Sequence, residues 1–257
     1  MRIGILGVGH LGTAIVEGLL RSGLDPASLV LSPRGRSAAL AERHDLSVAR
    51  DNHALVQTSD LVVLAVRPAS APESVAGLPW RTGQVVMSVC AGIARAQLSV
   101  EPAAIVRAMP LTAAEIRASP TVFFPRLPAA QAVLERLGPA IALASEADFE
   151  VATVVAAVYG WAQDLIRRTA DWTTGQGMPA AEMRRLVALT FVAAGRMMAE
   201  KPVPMPDLMA ELVTPGGITE LGLRILAEGG QPALWDAACA AVLTRLTDVG
   251  QKDAAPA

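Results

Sequence analysis

The sequence is poor in cysteine and in aromatic residues, and its charges nearly cancel. Its two cysteines, Cys90 and Cys239, lie far apart without a Cys/His cluster at metal-ligand spacing, so we expect no metal site and two reduced cytoplasmic thiols. A formal charge of −2 gives no reason to expect nucleic acid or an anionic membrane as partner. No apolar run reaches the roughly 18 residues that span a bilayer, and no signal-peptide pattern precedes the first strand.

The chain is rich in apolar residues, and their spacing follows two different patterns along the sequence. Apolar residues make up 52% of the 257 residues and charged residues 18%, which is typical of a chain with a large buried core. Up to residue 145, short apolar runs alternate with helical patterns, as in a doubly wound, mainly parallel α/β sheet. Residues 146–250 carry only helical periodicity, with Ser145 as the cap of the first helix. The predicted helices are Phe149–Val158, Trp161–Thr174, Ala180–Glu200, Pro206–Leu212, Ile218–Glu228 and Ala233–Thr247. Residues 251–257 form a polar tail that we expect to be disordered. Five runs after the first strand are predicted strands: Ser28–Leu31, Asp60–Val66, Gln84–Val89, Ala104–Arg107 and Thr121–Phe124.

The N-terminal segment predicts a dinucleotide-binding site. A buried strand around Ile3–Leu6 runs into the motif Gly7-Val8-Gly9-His10-Leu11-Gly12, and a helix follows at once. Gly7 permits the tight turn, Gly9 lets the backbone approach a pyrophosphate, and Gly12 allows close packing of helix on strand. The helix N-terminus then offers free amides to the anion. The alternatives are a purely structural glycine turn and, for His10, a loop side chain without a ligand.

The loop after the second strand predicts which nucleotide binds. An acidic residue usually ends this strand in NAD-binding folds, but here Ser32, Arg34 and Arg36 follow it and no acid is present. Guanidinium groups suit a dianionic 2′-phosphate, so we expect NADP, with NADPH preferred over NADH. A solvated basic loop is the alternative.

Five stretches, in order along the chain, resemble one family. Besides the glycine loop they are Leu64-Ala65-Val66-Arg67-Pro68, Ser88-Val89-Cys90-Ala91-Gly92-Ile93, Arg107-Ala108-Met109-Pro110 and Val213-Thr214-Pro215-Gly216-Gly217-Ile218-Thr219. The chain resembles pyrroline-5-carboxylate reductases over nearly its whole length. The resemblance implies an N-terminal Rossmann domain, an all-α C-terminal domain that forms a homodimer or a higher homo-oligomer, and reduction of a cyclic imine to proline with NAD(P)H.

The resemblance also implies roles for individual residues. The nicotinamide would lie beside two strand ends, formed by Val66, Arg67 and Pro68 and by Cys90, Ala91 and Gly92. Backbone amides in the loop formed by Thr214, Pro215, Gly216 and Gly217 would form the pocket for a substrate carboxylate, and the Thr219 hydroxyl would face the ring nitrogen. A helix-start turn without a ligand is the alternative for the glycine pair, and Cys90 is a small core residue rather than a nucleophile.

The sequence departs from the family pattern on the substrate side. Leu111 stands where the family has Asn, the Ser-Gly-x-Gly-Pro-Ala-Tyr stretch is altered at residues 156–161, and the Ser before Pro215 is missing. The polar stripe formed by Gln163, Asp164, Arg167, Arg168 and Asp171 is either a solvated face or a replacement for lost substrate contacts. Three functions remain open: a pyrroline-5-carboxylate reductase, a paralogous imine or ketone reductase, and a non-catalytic NADP-binding dimer.

The helical half predicts an assembly. Residues Ala181–Ala199 carry apolar side chains around well over half of the helix circumference, and such a helix must be covered on most sides. A second subunit is the expected cover, and a self-sufficient monomeric bundle is the alternative.

Overall fold

The structure is a computed structural model that describes residues 1–252, with side chains described to residue 248. Two compact units are present: Met1–Ala156 together with the chain from Val242 onward, and Ala157–Ala241. The predicted boundary at 145/146 coincides with the start of a long helix, Glu146–Gly175. The boundary between the two compact units lies inside that helix, between Ala156 and Ala157. Of the tail predicted to be disordered, residues 251 and 252 continue the last helix, and residues 253–257 lie outside the described residues.

The first unit is built on one eight-stranded sheet of order β3-β2-β1-β4-β5-β6-β7-β8. All neighbouring strands are parallel except β6 and β7, which are antiparallel, so the predicted mainly parallel α/β sheet is confirmed. The strands are β1 Ile3–Leu6, β2 Leu29–Leu31, β3 Ser47–Val48, β4 Leu61–Leu64, β5 Val85–Ser88, β6 Ala104–Met109, β7 Thr121–Phe124 and β8 Ala140–Ala142.

Helices cover both faces of this sheet because its central strands are apolar on both sides. Every residue of β1, β4 and β5 is buried, and the side chains form two hydrophobic clusters, one on each face. The covering helices are α1 His10–Arg21, α2 Ser37–His44, α3 Asn52–Thr58, α4 Ala71–Val75 and α5 Pro128–Leu134.

The strand order places a crevice at the carboxyl ends of β1 and β4. The chain runs outward from β1 to β2 and β3 on one side, and from β4 to β5 and β6 on the other. The connections after β1 and β4 therefore leave in opposite directions, which opens a crevice at that edge of the sheet. Ligands of doubly wound folds bind at this point.

Between Ala142 and residue 252, the last one described, the regular elements are all helices. They are α6 Glu146–Gly175, α7 Ala180–Glu200, α8 Met205–Leu212, α9 Ile218–Glu228 and α10 Gln231–Lys252. Ser145 begins α6 as predicted, since its Oγ accepts a hydrogen bond from the Asp148 N–H at 3.1 Å. The periodicity predicted two helices, Phe149–Val158 and Trp161–Thr174, but the structure has one. The helix continues through Gly160, because a single glycine weakens a helix without ending it.

The helical unit leaves much apolar surface uncovered in the single chain. Met183 and Val187 are the only buried residues of α7, and neither α8 nor α9 has any. Large apolar side chains more than half exposed include Leu186, Leu189, Val192, Met197, Met205, Leu212, Ile218, Ile225, Leu226 and Leu234. None of the helices within the described residues is both long enough and apolar enough to cross a membrane.

Candidate functional site

The glycine loop between β1 and α1 is shaped by close backbone approaches. Gly7 has φ +100°, and a Cβ there would lie 2.7 Å from the Ala65 carbonyl carbon. A Cβ on Gly12 would lie 2.3 Å from the Gly7 carbonyl oxygen. Any larger residue at either position would push β1, α1 and the end of β4 apart. The tight turn and the close packing predicted from the motif are therefore physical requirements of this loop.

Gly9, between those two glycines, faces open space. A Cβ built on Gly9 would meet no atom within 4 Å. Gly9 also caps α1 without a side-chain hydrogen bond, and the first turn of α1 contains no acidic residue. The first amides of α1 thus have no intramolecular anion to neutralise them, and a diphosphate fits this uncapped helix N-terminus.

The loop after β2 is tied to the glycine loop by its serines. Ser32 is buried, and its Oγ accepts a hydrogen bond from the Gly7 N–H at 3.0 Å. The Ser37 hydroxyl, also buried, donates to the Ser32 carbonyl at 2.5 Å. The hydroxyl of Ser32, which the sequence suggested as a cofactor contact, is therefore engaged in holding the loop. The exposed cationic groups of this loop are Arg34 and Arg36.

The two predicted walls of the nicotinamide site follow neighbouring strands. Val66, Arg67 and Pro68 come after β4, and Cys90, Ala91 and Gly92 come after β5, which pairs with β4 in parallel register. The Cys90 Sγ–H lies 3.4 Å from the Val66 carbonyl and 3.5 Å from the Leu64 carbonyl, so the thiol joins the two walls.

Cys90 is a structural thiol. Burial raises the pKa of its thiol to about 11, although hydrogen bonding with the Ser88 side chain and with the Val66 backbone acts in the opposite direction. At neutral pH the group is therefore protonated and a poor nucleophile, as the sequence suggested. Within residues 1–248, no group of three or more His, Cys, Asp or Glu side chains could hold a metal ion.

A buried ion cluster near these walls was not predicted. Arg107, known from the sequence only as a motif residue, is 1% exposed on β6. It donates hydrogen bonds to Glu146 at 3.0 Å and to Glu150, and its guanidinium carbon lies 4.6 Å from the centre of the Phe149 ring. All three partners belong to the first turns of α6. An arginine inside an apolar strand is the signal that could have revealed the cluster, since such a charge needs buried partners.

Glu146 connects the same cluster to the segment after Gly92. Its carboxylate accepts hydrogen bonds from the Arg95 backbone N–H at 3.1 Å and from Arg95 Nε at 3.2 Å. Partial burial pushes the pKa of Glu146 upward, but the hydrogen bonds from Arg95 and Arg107 outweigh it and hold this pKa below its usual range. The cluster thereby fixes the start of α6 against β6 and against the chain that follows the Cys90 wall.

In the helical unit, the predicted substrate loop precedes α9. Gly216 has φ +74°, and Gly217 caps α9 while its N–H donates to the Thr214 carbonyl at 2.9 Å. The expected free amide of Gly216 is not free, because it donates to the Glu220 carboxylate at 2.6 Å. Thr219 is half-buried in the first turn of α9. The Gly216 amide thus already binds a carboxylate, which belongs to Glu220 in the first turn of α9.

Two of the sequence departures meet in the first unit. Leu111 and Ala156 line the same apolar cavity of about 190 Å³, whose wall comprises Met109, Leu111, Pro120, Val122, Ile141, Ala152, Val155 and Ala156. Farther along α6, Trp161 packs edge-to-face on Trp235 with ring centres 5.3 Å apart. The altered stretch 156–161 therefore contributes Ala156 and Trp161 to apolar packing.

The polar stripe of α6 is an exposed ion-pair network. Arg167 contacts Asp164 at 2.8 Å and Asp171 at 2.7 Å, and Arg168 contacts Asp164 at 2.5 Å. All four side chains are at least 45% exposed. This geometry favours the solvated-face interpretation.

Comparison with known proteins places this architecture in a family. The model "NADP oxidoreductase coenzyme F420-dependent" matches residues 2–92, and "Pyrroline-5-carboxylate reductase dimerisation" matches residues 146–249. The chain is 29% identical to pyrroline-5-carboxylate reductase 3 of Xenopus laevis, over 97% of this chain and 96% of that protein. The chain belongs to the pyrroline-5-carboxylate reductase family and is an NAD(P)-binding oxidoreductase.

Solved structures agree with this fold. A 1-pyrroline-5-carboxylate reductase from Streptococcus pyogenes superposes with a TM-score of 0.84 at 26% identity, covering 96% of this chain and 98% of that one. The pyrroline carboxylate reductase of Plasmodium falciparum, solved with NADP bound, gives 0.87 at 20% identity, covering 97% and 98%. The predicted Rossmann and helical halves are thus confirmed as a fold.

Proposed function

We propose that the protein reduces the C=N bond of a cyclic imine with NADPH, converting pyrroline-5-carboxylate to L-proline. The observation that carries the proposal is the open cradle at Gly9, beneath the uncapped N-terminus of α1, in a chain whose reductase relatives match it nearly end to end. The residues around the cradle fit a dinucleotide diphosphate, and the basic loop after β2 fits a 2′-phosphate.

In the proposed reaction, the chain's residues bind and orient. A dihydronicotinamide bound there would supply a hydride for the carbon of the protonated C=N bond, whose π electron pair would become the nitrogen lone pair. Val66–Pro68 and Cys90–Gly92 hold the nicotinamide, and the Thr219 hydroxyl orients the imine nitrogen. A protonated imine already carries the charge that draws a hydride, so no strong acid–base pair is needed in the protein.

We further propose that the functional form is a homodimer or a higher homo-oligomer in the cytoplasm. The exposed apolar residues of α7, α8 and α9, together with the match to a dimerisation family, support the assembly. Cys90 and Cys239 are both free thiols, as expected in a reducing compartment.

A second candidate is reduction of a bulkier cyclic imine that lacks a carboxylate. Three features favour it: the apolar cavity beside Leu111, the missing Ser before Pro215, and the Glu220 carboxylate on the Gly216 amide. Each removes or occupies a group that could bind a substrate carboxylate.

The deciding experiment follows NADPH consumption with pyrroline-5-carboxylate, with unsubstituted pyrroline and with alkyl-substituted cyclic imines. The proposal expects turnover of pyrroline-5-carboxylate to proline, and Thr219→Ala should lower kcat while leaving the Kd for NADPH unchanged. Faster turnover of the imines without a carboxylate would favour the second candidate. Tight NADPH binding without turnover of any imine would instead identify a non-catalytic NADP-binding protein.

A further inference from the structure

The loop that carries Arg34 and Arg36 lies directly on the glycine loop. Val8 and Gly35 form a parallel β-bridge, and the Arg36 N–H donates to the Val8 carbonyl at 2.9 Å. Gly35 has φ +86°, and a Cβ there would come within 2.5 Å of the Val8 oxygen. The backbone of Arg36 is therefore fixed relative to the pyrophosphate end of the proposed nucleotide site.

The Arg36 side chain is also held at that end. Its Nη2 lies 2.9 Å from Nε2 of His10, the first residue of α1. A guanidinium can only donate, so His10 Nε2 accepts and the hydrogen of the neutral imidazole resides on Nδ1. His10 thus holds the Arg36 charge beside the first amides of α1.

Arg34 is placed differently. Its carbonyl accepts a hydrogen bond from the buried Ser37 hydroxyl at 2.9 Å, which fixes the backbone. Its exposed side chain makes no hydrogen bond or ion pair with any residue that the structure describes. Arg34 stands two residues after Ser32 in the loop that follows β2, where the adenosine ribose lies in Rossmann folds.

We propose that the two arginines have separate roles: His10 positions Arg36 on the pyrophosphate, which NADPH and NADH share, and Arg34 selects for the 2′-phosphate. This assignment rests on the proposed nucleotide binding. It makes His10 a positioning residue, because it acts through Arg36. It also makes Arg34 the residue that determines nucleotide specificity.

The first test measures dissociation constants for NADPH and NADH by titration calorimetry. Arg36→Ala should weaken both nucleotides by the same factor, about tenfold for one charge-assisted contact, and so preserve their ratio. Arg34→Ala should weaken NADPH by a similar factor and leave NADH unchanged. Arg21→Ala is the matched control, because it removes an exposed arginine at the opposite end of α1 and should change neither constant.

The second test examines the coupling between His10 and Arg36. His10→Ala should weaken both nucleotides, and the double variant with Arg36→Ala should be no worse than Arg36→Ala alone. His10→Gln, which retains an acceptor, should recover part of the loss. Additive effects would overturn the positioning role of His10. A loss confined to NADPH in Arg36→Ala would place Arg36 on the 2′-phosphate and overturn the division of roles.

Failure of the underlying function gives different results. Equal binding of NADPH and NADH to the unmodified protein would contradict the role of Arg34 and the proposed NADPH preference. It would leave the role of Arg36 standing, provided that Arg36→Ala weakens both nucleotides. Absence of binding for both nucleotides would overturn the proposed function and this assignment together.

Discussion

Glu220 has two effects that oppose each other. As the third residue of α9, it places a negative charge at the helix N-terminus and satisfies the Gly216 N–H, an arrangement related to a capping box. The same carboxylate occupies one amide that a substrate carboxylate would use. A bound substrate must therefore displace Glu220 or lie beside a like charge.

Glu220→Ala should accordingly lower the KM for pyrroline-5-carboxylate. One charge-assisted hydrogen bond corresponds to roughly tenfold in affinity, which sets the expected scale. The KM for unsubstituted pyrroline, which has no carboxylate, should stay the same. Glu228→Ala is the matched control, because Glu228 is an exposed carboxylate in the last turn of the same helix. Equal changes for both imines would show that Glu220 acts only as a helix cap.

At this scale, backbone requirements could be predicted but hydrogen-bond partners could not. Gly7, Gly9 and Gly12 have in the structure the steric properties that their spacing implies. No sequence pattern indicates that Ser32 bonds to Gly7 or that Glu220 bonds to Gly216. Such contacts depend on loop geometry and rotamers, which no periodic pattern encodes.

At the scale of secondary-structure elements, α6 is attached to the sheet through a buried ion cluster. Its first turns carry Glu146, Phe149 and Glu150, which surround the guanidinium of Arg107 on β6. Both carboxylates accept from the same guanidinium nitrogen, Nη1, while the ring covers one face. The first turns of α6 are therefore held on β6 by a buried cation.

Arg107→Met should destabilise the protein by about 3 kcal/mol, because removing one partner of a buried ion pair leaves the other charges uncompensated. Arg107→Lys should recover only part of this loss, since an ammonium lacks the planar face that lies on the Phe149 ring. Urea unfolding checks both values. The double variant Arg107→Met/Glu150→Gln should be more stable than Arg107→Met alone. A loss below about 1 kcal/mol would mean that the cluster does not anchor α6.

Ionisation of Glu146 in the same cluster should make the free energy of unfolding depend on pH. Because the folded-state pKa of Glu146 is lowered from 4.5, its contribution is fully present above that value. It is lost as the pH falls through the lower, folded-state pKa. The unmodified protein should therefore lose stability more steeply than Arg107→Met below about pH 4.5, as measured by urea unfolding at several pH values.

The long elements could be predicted from sequence, whereas two of the shortest strands could not. The bounds of α7 and α9 agree with the predicted Ala180–Glu200 and Ile218–Glu228, because several turns of periodicity define each helix. Strands β3 and β8 have two and three residues and leave no alternation to detect. The single helix α6 was predicted as two because Tyr159 and Gly160 interrupt its apolar pattern.

For the whole molecule, exposed apolar surface is the feature that a single chain leaves unexplained. Helices α7 and α8 line an apolar groove of about 510 Å³ that includes Met197, Met198, Leu208, Met209 and Leu212. The helical unit as a whole buries few of its large apolar side chains. Continuous apolar surface of this kind is typical of obligate interfaces.

The protein should therefore be at least a stable dimer, with an interface above about 2,000 Å² in total. Light scattering at micromolar concentration should give twice the mass of the chain or more. Replacing two exposed residues of α7, Leu189→Glu with Val192→Glu, should shift the mass toward the monomer, because each carboxylate would have to be buried without a partner. Ile116→Glu places the same charge on an exposed apolar residue of the nucleotide-binding unit and should leave the assembly unchanged. A monomeric mass for the unmodified protein would contradict the prediction and would mean that water covers these helix faces.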